Sequence, residues 1–428
     1  MNAIRSRRIV TPRGEVDGAV LIEDGRIKAV VSEAPTSAFD VGDLVVLPGF
    51  VDPHVHINEP GRADWEGFET ATRAAAAGGI TTLVDMPLNS LPVTTNAEAL
   101  ADKRRAAEGK LSVDVGFHGG VVPGNLNELP GLLDGGVLGV KAFLVDSGIA
   151  EFPPVGRAEL EPAMRLLAGR GVPLLAHAEV QDTSGSAPGT TARTHAAARP
   201  PEWETRAVQL LIDLCRETGC RVHVVHVAAA ECLPLLQAAR AEGLPITAET
   251  CPHYLYFDLD SIPEADPLFK CAPPIRERAN AEALLQGLRS GVLDFVASDH
   301  SPSPLAMKRG GFATAWGGIS SLALGASVLT TLGARPRELA TWLAAAPARL
   351  VGLQDRGAIA PGNRADLVVF DPQAGRVIVP EDLHTRHAIS PYVGRPLRGV
   401  PKMTFLGGEL IYDNGRFAPP LRGRLLHA

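Results

Sequence analysis

Apolar and polar residues alternate in short runs at both ends of this chain, and in a slower two-phase rhythm between them. Near the start, IRSRRIVTP and GAVLIEDGRIKAVVSE read as strands, with Glu23-Asp24-Gly25-Arg26 as a hairpin turn between two apolar runs. The far end repeats that character. RADLVVFDP and GRVIVP are strand-like, and MTFLGGELIYDNGRF carries a second hairpin signal at Asn414-Gly415. A lone hairpin cannot bury its apolar face. The two ends, 1–47 and 356–428, are therefore expected to form one small β-sandwich domain.

Over 48–355 short apolar runs alternate with helical stretches. Eight runs read as strands: 45–51, 80–85, 111–117, 137–143, 172–176, 221–227, 245–250 and 293–298. Helical periodicity occupies 66–77, 157–168, 203–217, 229–241 and 280–290. Eight parallel strands with intervening helices predict an α/β fold, a (β/α)8 TIM barrel. A doubly wound sheet competes on pattern alone. Residues 181–202, rich in Thr, Ser, Gly and Pro, read as a long loop.

Candidate chemistry separates the two architectures. His54 and His56 end the run LPGFVDPHVH, and a period of two puts both imidazoles on one strand face, where one metal ion can take both. Lys141 in GVLGVKAFL, His177 in VPLLAHAE, His226 in RVHVVHVA and Asp299 in LDFVASDH close four later strand-like runs. Only a closed barrel naturally gathers these strand ends at one mouth. Lys141 has two readings. It is a snorkelling or ion-paired lysine, or desolvation frees its amine to capture carbon dioxide, giving a carbamate that bridges two cations. An ammonium cannot ligate a metal, and the surrounding constellation favours the carbamate. Imidazole nitrogens suit zinc, with cobalt, manganese and iron also compatible. Asp299 can ligate through one oxygen and accept a proton through the other. His223, three residues before His226, is expected to pack outward. His300 either orients Asp299 or lines the pocket, and His253 is a pocket candidate.

Composition narrows the partners. Hydrophobic residues make up 45% and charged residues 21%, with a net charge of -7 and interspersed signs, so no basic footprint for nucleic acid is present. No apolar run approaches the ~18 residues of a membrane span. Charges at the start are not followed by an apolar stretch, so no secretory signal is expected. The five cysteines, Cys215, Cys220, Cys232, Cys251 and Cys271, form no C-x-x-C pair and read as reduced thiols of a cytoplasmic protein.

These motifs resemble the amidohydrolase superfamily, in its cyclic-amidohydrolase branch of hydantoinases, dihydropyrimidinases, dihydroorotases and allantoinases. The resemblance runs from the N-terminal strands through Pro361-Gly-Asn-Arg-Ala-Asp-Leu367. It implies a binuclear divalent-metal centre held by His54, His56, carboxylated Lys141, His177, His226 and Asp299, with Asp299 catalytic. Within the branch, MPLNSLP at 86–92, ETCPHY at 249–254 and KCAPPIR at 270–276 are similar to the allantoinase family. So are SDHSPSP at 298–304, AWGGI at 315–319 and SPYVGR at 390–395. Ala272 departs from the serine common in relatives. Dihydroorotases place an arginine two residues after HxH to pair a substrate carboxylate, whereas Asn58 and Glu59 stand here. The resemblance thus implies hydrolysis of a cyclic ureide, allantoin, to allantoate. Hydrolysis of a related cyclic amide by a hydantoinase or dihydropyrimidinase is the alternative. Asn89, His253, the backbone at Cys271 and Ala272, and that at Gly317 and Gly318 are the expected substrate contacts. A homotetramer is implied by the family alone.

Overall fold

The computed structural model describes residues 2–181 and 189–427. Eight short strands build the central layer: β1 (Phe50–Val55), β2 (Ile80–Asp85), β3 (Asp114–Phe117), β4 (Val140–Phe143), β5 (Leu174–His177), β6 (Val222–Val224), β7 (Ile246–Thr250) and β8 (Phe295–Val296). All neighbouring pairs run parallel, and β3 resumes as Gly119–Gly120 to pair with β4. A parallel bridge from Val55 to His300 closes the ring. Nearly every strand residue is buried, as expected when one face meets the barrel interior and the other meets helices.

Helices α1 (Phe68–Ala77), α2 (Ala97–Ala107), α3 (Leu129–Asp134) and α4 (Arg157–Arg170) are followed by α5 (Ala192–Ala198) and α6 (Pro201–Thr218). Then come α7 (Cys232–Ala241), the short α8 (Pro252–Tyr256) and α9 (Arg278–Arg289). The five helical stretches read from periodicity correspond to α1, α4, α6, α7 and α9. The expected loop at 181–202 is more ordered than its composition suggests. Thr191 caps α5 by accepting from Thr194 N–H, and Pro201 starts α6 at the first-turn position proline favours. Its remaining part, 182–188, lies outside the described residues.

The expected strand 45–51 is two strands. Val45–Pro48 pairs parallel with Ala3–Thr11 and antiparallel with Leu367–Val377, joining the two chain ends in one nine-stranded order. Gly49 turns the chain from there into β1, and a Cβ at this position would lie 2.4 Å from Thr81 Oγ1. Both hairpin signals appear as turns of left-handed residues, Asp24-Gly25 (φ 50° and 75°) and Asn414-Gly415 (φ 44° and 91°). Ile4, Ile9, Val20, Ile27, Val46, Leu367, Val369 and Phe405 pack as the core of this sheet.

Candidate metal centre

β1 delivers His54, and the backbone N–H of His56 donates to His300 O at 2.9 Å just past the strand. Each imidazole is anchored by one nitrogen. His54 Nδ1 lies 2.5 Å from Glu249 Oε1, and His56 Nδ1 lies 2.9 Å from Leu88 O. Their Nε2 atoms converge on Asp299 Oδ1, at 3.2 and 3.4 Å. His177 uses Nε2 on Glu179 (2.7 Å), stacks on Phe143 (4.5 Å) and meets the His226 ring edge-on at 4.5 Å. His54, His226 and Asp299 offer ligand atoms all within 4.8 Å of one another.

Two of these positions carry backbone strain. His226 and Asp299 have φ of 41° and 44°, left-handed values that cost a non-glycine residue on the order of 1 kcal/mol or more. The turn at His226 explains one wrong expectation. β6 ends at Val224, so strand parity no longer relates His223 to His226. His223 is fully buried, not packed outward: Nδ1 lies 2.8 Å from Thr247 Oγ1, Nε2 lies 3.0 Å from Glu249 Oε2, and the ring stacks on Phe295 at 5.0 Å.

Burial, reinforced by Lys141 and neighbouring imidazoles, holds His54 well below the ordinary histidine value, so it presents the neutral ring that ligates metals. His226 is lowered likewise, by burial and then His177 and Lys141. Burial alone would raise the Asp299 carboxyl, but the hydrogen bond and charge of His56, followed by His253 and Lys141, bring it below its usual range. Burial draws Lys141 down to about 8 against the pull of Asp299 and Glu249.

Lys141 is fully buried, and its Nζ has no hydrogen-bond partner among the described residues; nor does His226 Nδ1 or either nitrogen of His253. Unsatisfied buried polar atoms are rare and need an explanation. Neutral imidazoles and a carboxylate are donors for a divalent metal, and the orphaned Lys141 nitrogen can take up carbon dioxide to add an oxygen donor beside them, so the residues fit such a centre.

Beside them opens a cavity of about 540 Å³, within the usual range for small-molecule sites. His54, His56, His177, His226 and Asp299 line it, as do Asn89, Cys271, Ala272, Gly317 and Gly318. Lys141 and His253 are not part of this lining. Asn58 is not part of it either, and its Oδ1 accepts from the lining residue Asn89, Nδ2 at 3.3 Å. His300 is turned from the cavity, with Nε2 3.3 Å from Glu66 Oε2. Sequence reasoning missed Ser301, whose hydroxyl donates to Asp299 at 3.3 Å, and the carboxylates Glu249 and Glu179. The two carboxylates were legible as the last inward position of β7 and as the acid two residues after His177. It also missed two cavity cations, Arg199 and Lys270.

The sequence matches the Amidohydrolase family over residues 45–411 and the composite domain of allantoinase over 3–40. It is 46% identical over 435 residues to an allantoinase of Streptomyces avermitilis, spanning 99% of this chain and 98% of that protein. The chain belongs to the amidohydrolase family, in its allantoinase group. An Arabidopsis thaliana allantoinase is 42% identical over 99% of this chain and 90% of its own. Among solved structures, the L-hydantoinase (dihydropyrimidinase) of Arthrobacter aurescens superposes with a TM-score of 0.93 at 29% identity, covering 100% of this chain and 99% of that one. The barrel and the sheet built from both chain ends thus follow the family's architecture, with the candidate site at the C-terminal ends of the barrel strands.

Proposed function

We propose that this protein hydrolyses the ring amide of allantoin to give allantoate, in purine and ureide catabolism. The observation that carries the reading is the near full-length likeness to allantoinases of a bacterium and a plant. His54, His56, Lys141, His177, His226 and Asp299 would hold two divalent cations, most simply zinc, with Lys141 carboxylated on Nζ. Bound there, the cations would supply a water ionised near neutral pH and polarise the substrate carbonyl.

The chain's own residues do the rest. Asp299, whose Oδ1 is shared by His54, His56 and Ser301, would ligate through one oxygen and through the other take a proton and return it to the departing ring nitrogen. Glu249 and Glu179 fix the orientation of His54 and His177. Asn89 and the backbone at Cys271–Ala272 and Gly317–Gly318 face the cavity and would hold the ureide. His253, outside the lining, would support the pocket behind Asp299. Among the described residues no helix is long and apolar enough to cross a membrane. A cytoplasmic homotetramer is the expected form.

The structural likeness to a hydantoinase gives the second reading, the same chemistry on another cyclic amide. Side-by-side kcat/KM with metal-reconstituted protein on allantoin, hydantoin, dihydrouracil and dihydroorotate separates the two. Allantoin should lead clearly and dihydroorotate should be inert. A lead for dihydrouracil or a 5-alkyl hydantoin would overturn the substrate assignment and keep the chemistry. Peptide mass taken without acid treatment should show the added carboxyl on Lys141; an unmodified lysine in metal-loaded, active enzyme would overturn the carbamate.

A further inference from the structure

Two lysines spend their ammonium groups on backbone carbonyls of the cavity wall around Thr314 to Gly318, Lys270 from within the lining and Lys308 from outside it. Lys270 Nζ donates to Ala313 O (3.0 Å) and Ala315 O (2.7 Å). Lys308 Nζ donates to Trp316 O (2.8 Å) and Gly318 O (2.7 Å). Neither forms a carboxylate ion pair among the described residues. Lys308 is only 7% exposed. Burial pulls it to about 8, which still leaves the ammonium dominant at neutral pH.

A buried lysine without a counter-ion is costly, and a wall of five residues does not ordinarily require two lysines. What the pair does is set the direction of peptide planes. In a trans peptide the C=O and the following N–H point in opposite directions. Trp316 O points at Lys308, which lies outside the cavity lining, so the Gly317 N–H points away from Lys308, toward the cavity that Gly317 lines. Neighbouring amides are already committed: Ala315 N to Gly311 O, Trp316 N to Met307 O and Gly318 N to Lys270 O. The Gly317 amide has no acceptor among the described residues. An ammonium at the carbonyl end also polarises that peptide and strengthens its N–H as a donor.

We infer that Lys308, braced by Lys270, is a positioning residue that aims the Gly317 amide at a carbonyl oxygen of the bound cyclic ureide. This deepens the allantoin reading and rests on it for the identity of the ligand. The same device would serve any cyclic amide carbonyl, so the two ideas fail separately. The wild-type substrate panel tests the ligand, and lysine variants assayed on the preferred substrate test the device.

Lys308→Met removes the donors while keeping the aliphatic stem. A positioning role predicts at least a fivefold rise in KM with kcat per bound metal within twofold of wild type. A merely structural lysine would instead lower the folded, active fraction and leave KM unchanged, which would overturn the inference. Gly317→Pro deletes the amide N–H itself and should raise KM similarly. In that background Lys308→Met should add less than twofold, because the donor it serves is gone. Multiplying effects would overturn the inference. If Lys308→Met does not fold, Lys308→Gln, shorter and uncharged, is read by the same split between KM and kcat, with the same two outcomes.

Discussion

Glu249→Gln isolates one electrostatic contribution to the metal centre. Both Glu249 oxygens are used, Oε1 at 2.5 Å from His54 Nδ1 and Oε2 at 3.0 Å from His223 Nε2, and the side chain is fully buried. Glutamine keeps the shape. Its amide oxygen can accept from His54 Nδ1–H, and its NH2 can donate to His223 Nε2 once that ring places its proton on Nδ1, where Thr247 Oγ1 waits at 2.8 Å. Only the charge is lost. Exchanging a charge-assisted hydrogen bond for a neutral one is worth about 1–1.5 kcal/mol. Removing an outer-shell partner of a metal-binding histidine typically costs about 10–100-fold in affinity, and tenfold is about 1.4 kcal/mol. The two ranges meet near tenfold, which is the expected loss of zinc affinity in competition with a chromophoric chelator. Stability of the chelator-treated protein should hold or rise, because burial pushes the Glu249 carboxyl well above its ordinary value and the amide escapes that penalty. Unchanged zinc affinity, or a metal-free protein destabilised as much as the metal site is weakened, would refute the reasoning and make Glu249 a packing residue.

Asp299→Asn keeps an oxygen in place but cannot shuttle a proton, so kcat should fall by roughly 10²–10⁴-fold with substrate binding much less affected, as steady-state kinetics on metal-saturated protein will show. Lys103 Nζ lies 2.7 Å from Asp85 Oδ2, and both side chains are fully buried. Lys103→Met should therefore cost about 3–5 kcal/mol in denaturant unfolding, and adding Asp85→Asn should recover part of it. Lys308, lowered by burial from 10.5 to about 8, binds fewer protons folded than unfolded between those pH values. Native stability should rise with pH across that window by roughly 3 kcal/mol from this group, and Lys308→Met should lack the rise in pH-dependent unfolding. Glu179→Gln leaves the Arg199 charge without its carboxylate beside the cavity, so inhibition by dihydroorotate should tighten about tenfold; no change would show that Arg199 cannot reach a ligand.

The parts of the fold legible in the sequence were those set by local rules. Asp24-Gly25 and Asn414-Gly415 are hairpin turns because few residues tolerate consecutive positive φ. His54, His177 and Asp299 lie at strand ends because each follows an apolar run whose length is a strand's. What escaped depended on contacts remote in sequence. The break at Gly49 is dictated by Thr81 and Asp366, which leave no room for a Cβ. The inward turn of His223 follows from Glu249 on the next strand and from a φ of 41° at His226, neither of which alternation encodes. Order in 192–198 came from a cap and an anchor, His195 Nε2 on Cys271 O at 2.9 Å, that composition does not reveal.

The cavity's cations bear on the argument from Asn58. Asn58 offers no partner for a substrate carboxylate where dihydroorotases place an arginine, yet Arg199 and Lys270 both line the cavity. Their charges are already engaged. Arg199 forks onto Glu179, Nε to Oε1 at 2.9 Å and Nη2 to Oε2 at 2.5 Å, and that ion pair holds Glu179 near 2 despite the burial that alone would raise it. Lys270 is bound to two carbonyls. An acidic ring would have to break one of these arrangements to find a counter-ion, and a bidentate pair on a fully buried carboxylate is expensive to break. A neutral ureide needs only hydrogen-bond donors and acceptors, which Asn89, Ala272 and the Gly317 amide can offer without disturbing either cation. The expected selectivity against carboxylates would therefore rest less on a missing cation than on cations committed elsewhere.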